Sequence, residues 1–144
     1  MAGRPYGKQQ RDRARRETKA VVDAELEAER WCPPSQFDCE PSNGTITIPL
    51  SATARILQRL EYEAKRLVYY SISLQCRTRS EEWEDAARID CSHCLVHIHT
   101  PGAPNIVPIM NITRPEDVWN SYDASYAQIL DNWEEYERQW NHGR

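Results

Sequence analysis

The C-terminal segment carries the pattern that most limits how this chain can fold. Apolar residues, nearly all aromatic, recur there at spacings of three and four, at Trp119, Tyr122, Tyr126, Ile129, Trp133, Tyr136 and Trp140. Thr113-Arg114-Pro115-Glu116, just before them, has the Thr-x-x-Glu form of a capping box. The segment therefore predicts a long amphipathic helix, or two helices joined near Ser121. Each ring can bury about 150–250 Å², so the helix needs a surface to pack on.

This aromatic stripe has three interpretations. It can be core packed on another helix of the same chain, a helix face that binds a partner protein, or a stacking platform for bases. Acidic side chains along the same segment disfavour base stacking, because they would repel phosphate. The candidate protein-interface residues are Trp119, Tyr122, Tyr126, Trp133, Tyr136 and Trp140.

Other segments also predict helices. Residues 52–75 carry a heptad stripe of mostly leucine side chains, at Leu57, Leu60, Ala64, Leu67, Ser71 and Leu74. Residues 9–31 lack Gly and Pro and end before Pro33-Pro34, which stops a helix. A shorter helix is predicted over residues 81–89, with Ser80 as its cap.

Short strands complete the predicted fold. Residues 45–48 alternate Thr and Ile, and residues 95–99 and 106–110 flank a turn rich in Pro and Gly. Pro108 would confine the second of these two strands to a sheet edge. The predicted fold class is mainly α with a small β-hairpin (α+β): three amphipathic helices packed together, with the hairpin near residues 95–110.

The segment from Cys91 to His99 is the candidate site, because it holds two of the five cysteines and three of the four histidines. A Cys-x-x-Cys pair can place two thiolates on a tetrahedral metal ion. His97 and His99 alternate with apolar residues, so on a strand both imidazoles would point the same way. Zinc accepts this mixture of sulfur and nitrogen ligands, and it is the predicted cofactor.

Spacing alone leaves the ligand set open. The candidate ligands are Cys91, Cys94, His97, His99, Cys32 and Cys39, taken as the first four, as the four cysteines, or as Cys91 and Cys94 with one upstream cysteine and one histidine. An odd number of cysteines in a chain without a signal peptide favours reduced thiols or metal ligands over disulfides. A redox dithiol, a nucleophilic cysteine and ordinary structural residues are the alternatives.

Charge divides the chain into a basic arm and an acidic body. Residues 1–19 have a local balance of +5, against −9 for the rest. We expect residues 1–19 to be a flexible arm and residues 20–144 to be a single helical domain. The arm could neutralise phosphates of DNA or RNA, through Arg4, Lys8, Arg11, Arg13, Arg15, Arg16 and Lys19.

These features favour a small, non-catalytic, zinc-braced binding protein whose arm contacts nucleic acid, as in a regulator or accessory factor. The alternative is an assembly protein of a phage particle or another multi-subunit complex, which self-associates or binds a protein partner through its heptad stripes. A metal hydrolase with Asp90 or Glu84 as general base is the enzymatic alternative. No apolar run is long enough to cross a membrane. We expect a cytoplasmic protein of a bacterium or phage-infected cell, or a virion component.

Overall fold

A computed structural model describes residues 31–33 and 44–143 of the 144-residue chain. The basic arm, nearly all of the helix predicted over residues 9–31, and Cys39 lie outside the described residues. Within the described part, no helix is long and apolar enough to cross a membrane.

The described residues form one six-stranded antiparallel sheet in which each strand pairs with the next along the chain. The strands are β1 (Thr45–Pro49), β2 (Ala54–Glu63), β3 (Arg66–Arg77), β4 (Trp83–Asp90), β5 (Leu95–His99) and β6 (Val107–Asn111). The β5–β6 hairpin and the strand at residues 45–48 are confirmed. Pro108 lies on the edge strand β6, where its missing amide proton disrupts no central ladder.

One long helix, α1 (Glu116–His142), packs against β3 and β4. It confirms the C-terminal prediction as a single helix. The carboxylate of Asp117 accepts hydrogen bonds from the Thr113 and Arg114 amides, at 2.9 and 3.2 Å. Asp117 therefore satisfies amides at the helix start, in the role that the capping-box pattern assigned to Glu116.

The prediction of a mainly helical fold with three packed helices is wrong. Residues 52–75 form most of the β2–β3 hairpin, and residues 81–89 form most of β4. In β2, burial alternates from residue to residue, which is strand periodicity and not helix periodicity. The leucine stripe does not describe one surface: Leu57 and Leu60 are an odd number of residues apart on a strand, so they point to opposite faces. There is therefore no coiled-coil-like pair of helices among the described residues.

A tight turn divides the leucine-rich residues 52–75 between β2 and β3. Ala64 and Lys65 form this turn with positive φ angles of 49° and 67°. Two such residues give the backbone twist that closes a tight antiparallel hairpin, although Asn and Gly are the usual residues there. Beyond the turn, the Val68–Ile72 stretch is β-branched and aromatic, which favours a strand.

The sheet has two chemically different faces. On the helix face, Ile72, Ile89 and Ile98 are cross-strand neighbours, and all three are buried. The Tyr70 hydroxyl on this face lies 2.8 and 2.9 Å from the hydroxyls of Ser121 and Ser125 in α1. The helix face is therefore the site of the main core.

The opposite face, here called the polar face, carries two rows of mostly polar residues fixed by the strand register. One row runs Arg59, Ser71, Asp90 and His97, and the next runs Leu57, Ser73, Arg88 and His99. In the described part of the chain, no helix packs on this face.

Candidate functional site

The polar face brings together four side chains, Arg88, Asp90, His97 and His99, which we call the Asp-His cluster. Asp90 and His97 face each other across β4 and β5, as do Arg88 and His99. The Nε2 atom of His97 lies 3.0 Å from Oδ1 of Asp90, and Nε2 of His99 lies 3.9 Å from Oδ2. Asp90 and His97 are buried, at 3% and 4% exposure. Two histidines and a carboxylate thus converge at one point.

The orientation of His97 is set by its own strand. Its Nδ1 atom lies 2.9 Å from the Leu95 carbonyl oxygen, which can only accept, so Nδ1 carries the proton. This leaves Nε2 directed at Asp90. The imidazole then either holds a second proton that it donates to the carboxylate, or presents a lone pair to a cation that both residues bind.

The Asp90 carboxylate is well satisfied for a buried charge. Oδ1 accepts from the Ser92 amide at 3.0 Å, and Oδ2 accepts from Nε of Arg88 at 2.9 Å. Close hydrogen bonds of this kind offset the large cost of removing a carboxylate from water. The Tyr69 hydroxyl extends the network, at 3.3 Å from the Ser92 hydroxyl.

His99 is the more accessible of the two histidines, with 39% of its side chain exposed. Its Nε2 atom is 3.2 Å from Nη2 of Arg88. A guanidinium can only donate, so Nε2 accepts and the imidazole is neutral. Partial burial, followed by the positive charge of Arg88, lowers the pKa of His99 below its ordinary value.

The geometry of the cluster fits a small metal ion. One ligand atom from each of Asp90, His97 and His99 can be chosen so that all lie within 4.8 Å of one another. Ligand atoms about 2.0–2.2 Å from a zinc ion are roughly 3.0–3.5 Å apart. Nε2 of His97 already has this spacing to Oδ1 of Asp90, whereas Nε2 of His99 lies 3.9 Å from the other oxygen, Oδ2, so the His99 side chain would have to move for one ion to bind all three residues. A set of two imidazoles and one carboxylate suits zinc and divalent iron.

The cysteines predicted as ligands are placed differently. Cys91 is buried on the helix-face side, where its thiol lies against the backbone of Tyr70. Cys94 forms a disulfide with Cys32, contrary to the expectation of reduced thiols. The described residues therefore bring His97 and His99 together, and Cys32 and Cys94 together, but not these two pairs with Cys91. The predicted cysteine-containing ligand sets stay predictions, since Cys39 lies outside the described residues.

The turn between β4 and β5 places the cluster. A short 3-10 segment, Ser92–Cys94, joins the strands, and His93 and Cys94 both have φ near 60°. This left-handed conformation is uncommon for residues other than glycine. It reverses the chain tightly enough for Asp90 and His97 to pair, and the disulfide at Cys94 attaches residues 31–33 to the same turn.

A family model described as a domain of unknown function, DUF7718, matches residues 38–144. The chain belongs to this family. The matched range contains all six strands and α1, so the DUF7718 domain holds both the described sheet and the Asp-His cluster. No curated protein and no solved structure matches the chain.

Two residues of the cluster in this DUF7718 domain were not predicted as ligands or as ligand partners. Asp90 was considered as a general base, and Arg88 was not considered. The signal was present in the sequence: Arg88 and Asp90 have the same two-residue spacing as His97 and His99. The helix predicted over residues 81–89 concealed it, because this spacing defines one face in a strand and not in a helix.

The aromatic stripe of the DUF7718 domain packs against the core of its own chain, but on the sheet and not on another helix as the core interpretation expects. Tyr136 is buried, and the other rings are partly buried against the core cluster of the sheet, at Trp119, Tyr122, Tyr126, Trp133 and Trp140. Tyr122 also donates a hydrogen bond to Gln58 of β2. These rings therefore bind α1 to the sheet.

Proposed function

We propose that this protein is a small metal-binding protein in which Asp90, His97 and His99 hold one divalent transition metal ion, with zinc as the first candidate. The observation that carries the proposal is the convergence of the three ligand atoms within 4.8 Å across β4 and β5. The role is one of binding and not of catalysis.

The support for His97 comes from its second nitrogen. Histidines that bind metals donate their other ring N–H to a carbonyl or carboxylate, which fixes the orientation of the ring. The Leu95 carbonyl accepts this hydrogen bond from Nδ1 of His97. This hydrogen bond fixes the ring in the orientation that points Nε2 at Asp90.

The number of ligands would leave the bound ion accessible. Three protein ligands leave at least one coordination position for water or for a donor atom of a bound molecule. His99 is the exposed ligand, so this position would face solvent. The basic residues 1–19 would supply a separate, salt-dependent contact with nucleic acid.

Metal titration of the full chain, with the disulfide intact, tests this proposal. We expect about one zinc ion per chain, and at least a tenfold loss of affinity in His99→Ala and Asp90→Asn, because each removes one of three ligands. His93→Ala is the matched control, since this exposed histidine lies in the turn between β4 and β5 but outside the cluster.

The opposite pattern would reject the assignment. If zinc binding survives His99→Ala but is lost when Cys39 and Cys91 are replaced by serine, cysteines hold the metal ion without His99, and the Asp-His cluster is not the metal site. If neither the wild-type protein nor any variant retains zinc above background, the proposal of a metal-binding function is rejected.

A further inference from the structure

Arg88 contacts two of the three residues that would bind the metal ion. Its Nε atom donates to Oδ2 of Asp90 at 2.9 Å, and its Nη2 atom lies 3.2 Å from Nε2 of His99. We propose that Arg88 is a tethered cation that competes with the metal ion for Asp90 and His99. On this view, which rests on the proposed function, Arg88 sets the affinity of the site and makes metal binding reversible.

The competition is strict at His99. A neutral imidazole nitrogen has one lone pair, and it cannot accept a hydrogen bond from Arg88 and bind a metal ion at the same time. At Asp90 the competition is electrostatic, because the guanidinium of Arg88 and a divalent cation repel each other when they lie a few ångströms apart. Metal entry therefore requires Arg88 to leave.

Arg88 has a second acceptor close by. Its Nη1 atom lies 3.8 Å from Oδ2 of Asp85, which is about 0.9 Å longer than a typical hydrogen bond. Both side chains are partly exposed, at 38% and 42%, so neither is locked in the core. Asp85 already accepts from Gln75 at 3.0 Å, which holds its carboxylate in place. The displaced guanidinium can thus move from Asp90 to Asp85 while staying on the polar face.

Arg88 also explains how the cluster persists without metal. A buried carboxylate facing two imidazoles needs a positive charge, and Arg88 provides one from the neighbouring position of the same strand face. The ligands are therefore held near their binding positions before the ion arrives. The result is a site that exchanges its ion for a side chain, as a sensor or buffer of free metal would.

The test is zinc affinity in Arg88→Met, which keeps the length of the side chain and removes its charge and donors. We expect zinc to bind more tightly by on the order of tenfold to a hundredfold. Arg88→Gln should give a gain in the same direction if the methionine variant does not fold. Arg55→Met is the matched control, because Arg55 contacts Gln75 and the Trp83 ring, not the ligands.

A double-mutant cycle tests the second acceptor. Asp85→Asn should weaken zinc binding when Arg88 is present and leave it unchanged in the Arg88→Met background. If wild-type protein binds zinc through the cluster but Arg88→Met binds it no more tightly than Arg55→Met does, the role of Arg88 is overturned and the metal site stands. If zinc binding in the wild type does not depend on His99, both proposals fall.

Discussion

The two faces of the sheet are built from alternate residues of the same strands, yet they are held together by different forces. On the helix face, the row Ile72, Ile89 and Ile98 is apolar and covered in part by α1. One residue away, Ser71, Asp90 and His97 form a row whose contacts are hydrogen bonds and ion pairs.

The difference separates stability from function. Apolar packing is non-directional and scales with buried area, so the helix face can stabilise the fold without exact angles. Hydrogen bonds and ion pairs are directional, and their partners can exchange without leaving a cavity. The polar face is therefore the part of the sheet on which a ligand can replace an existing contact, as we propose for Arg88.

The largest expected effect is on the helix face. Ile72→Ala should lower the free energy of unfolding by about 2–5 kcal/mol, because it leaves a cavity at a fully buried position. Its neighbour on the polar face gives the comparison: Ser71→Ala should change the free energy of unfolding by less than about 0.5 kcal/mol. Urea denaturation measures both. Similar losses in the two variants would mean that the faces contribute equally.

Asp90 should be the costliest position on the polar face. Asp90→Ala leaves the Ser92 amide, the Arg88 guanidinium and Nε2 of His97 without their acceptor. We expect the free energy of unfolding to fall by about 2–3 kcal/mol when it is measured on metal-free protein with chelator present.

Asp85→Ala is the control for Asp90, since this carboxylate is exposed on the same strand. Its replacement should cost about 0.5 kcal/mol or less. If the two substitutions lower the free energy of unfolding equally, the buried contacts of Asp90 contribute no more to stability than the exposed contacts of Asp85.

A third effect, smaller than those of Ile72→Ala and Asp90→Ala, depends on pH and belongs to the helix face. Burial raises the pKa of Tyr70 from 10.0 to about 12. The unfolded chain then loses this proton first, so the free energy of unfolding should fall as the pH rises from about 10 towards 12. Between pH 9 and 11 we expect a loss of about 1–2 kcal/mol from this residue.

Tyr70→Phe isolates this contribution. The variant cannot ionise, so the difference in stability between it and the wild type should shrink by that amount over the same pH interval. A constant difference from pH 9 to 11 would mean that the Tyr70 hydroxyl titrates as in the unfolded chain.

The sequence predicted the parts of the fold whose signals are local. The aromatic stripe identified α1, and the Pro- and Gly-rich turn near residue 102 separated β5 from β6. It failed for β2 and β3, where leucines at spacings of three and four fell by chance on both faces of a hairpin, and for β4, where Ser80 suggested a helix cap. Propensity could not decide between these patterns, because burial of alternate residues arises only when neighbouring strands pair.

The candidate site divides in the same way. The common orientation of His97 and His99 follows from strand periodicity, and the sequence by itself determined it. Which residues face them was decided by the register between β4 and β5, through a turn with two left-handed residues and a disulfide to Cys32. Register depends on which strands pair and on the geometry of the turn between them, and residue spacing sets neither, so the tertiary structure alone placed Asp90 and Arg88 beside the histidines and turned Cys91 into the core.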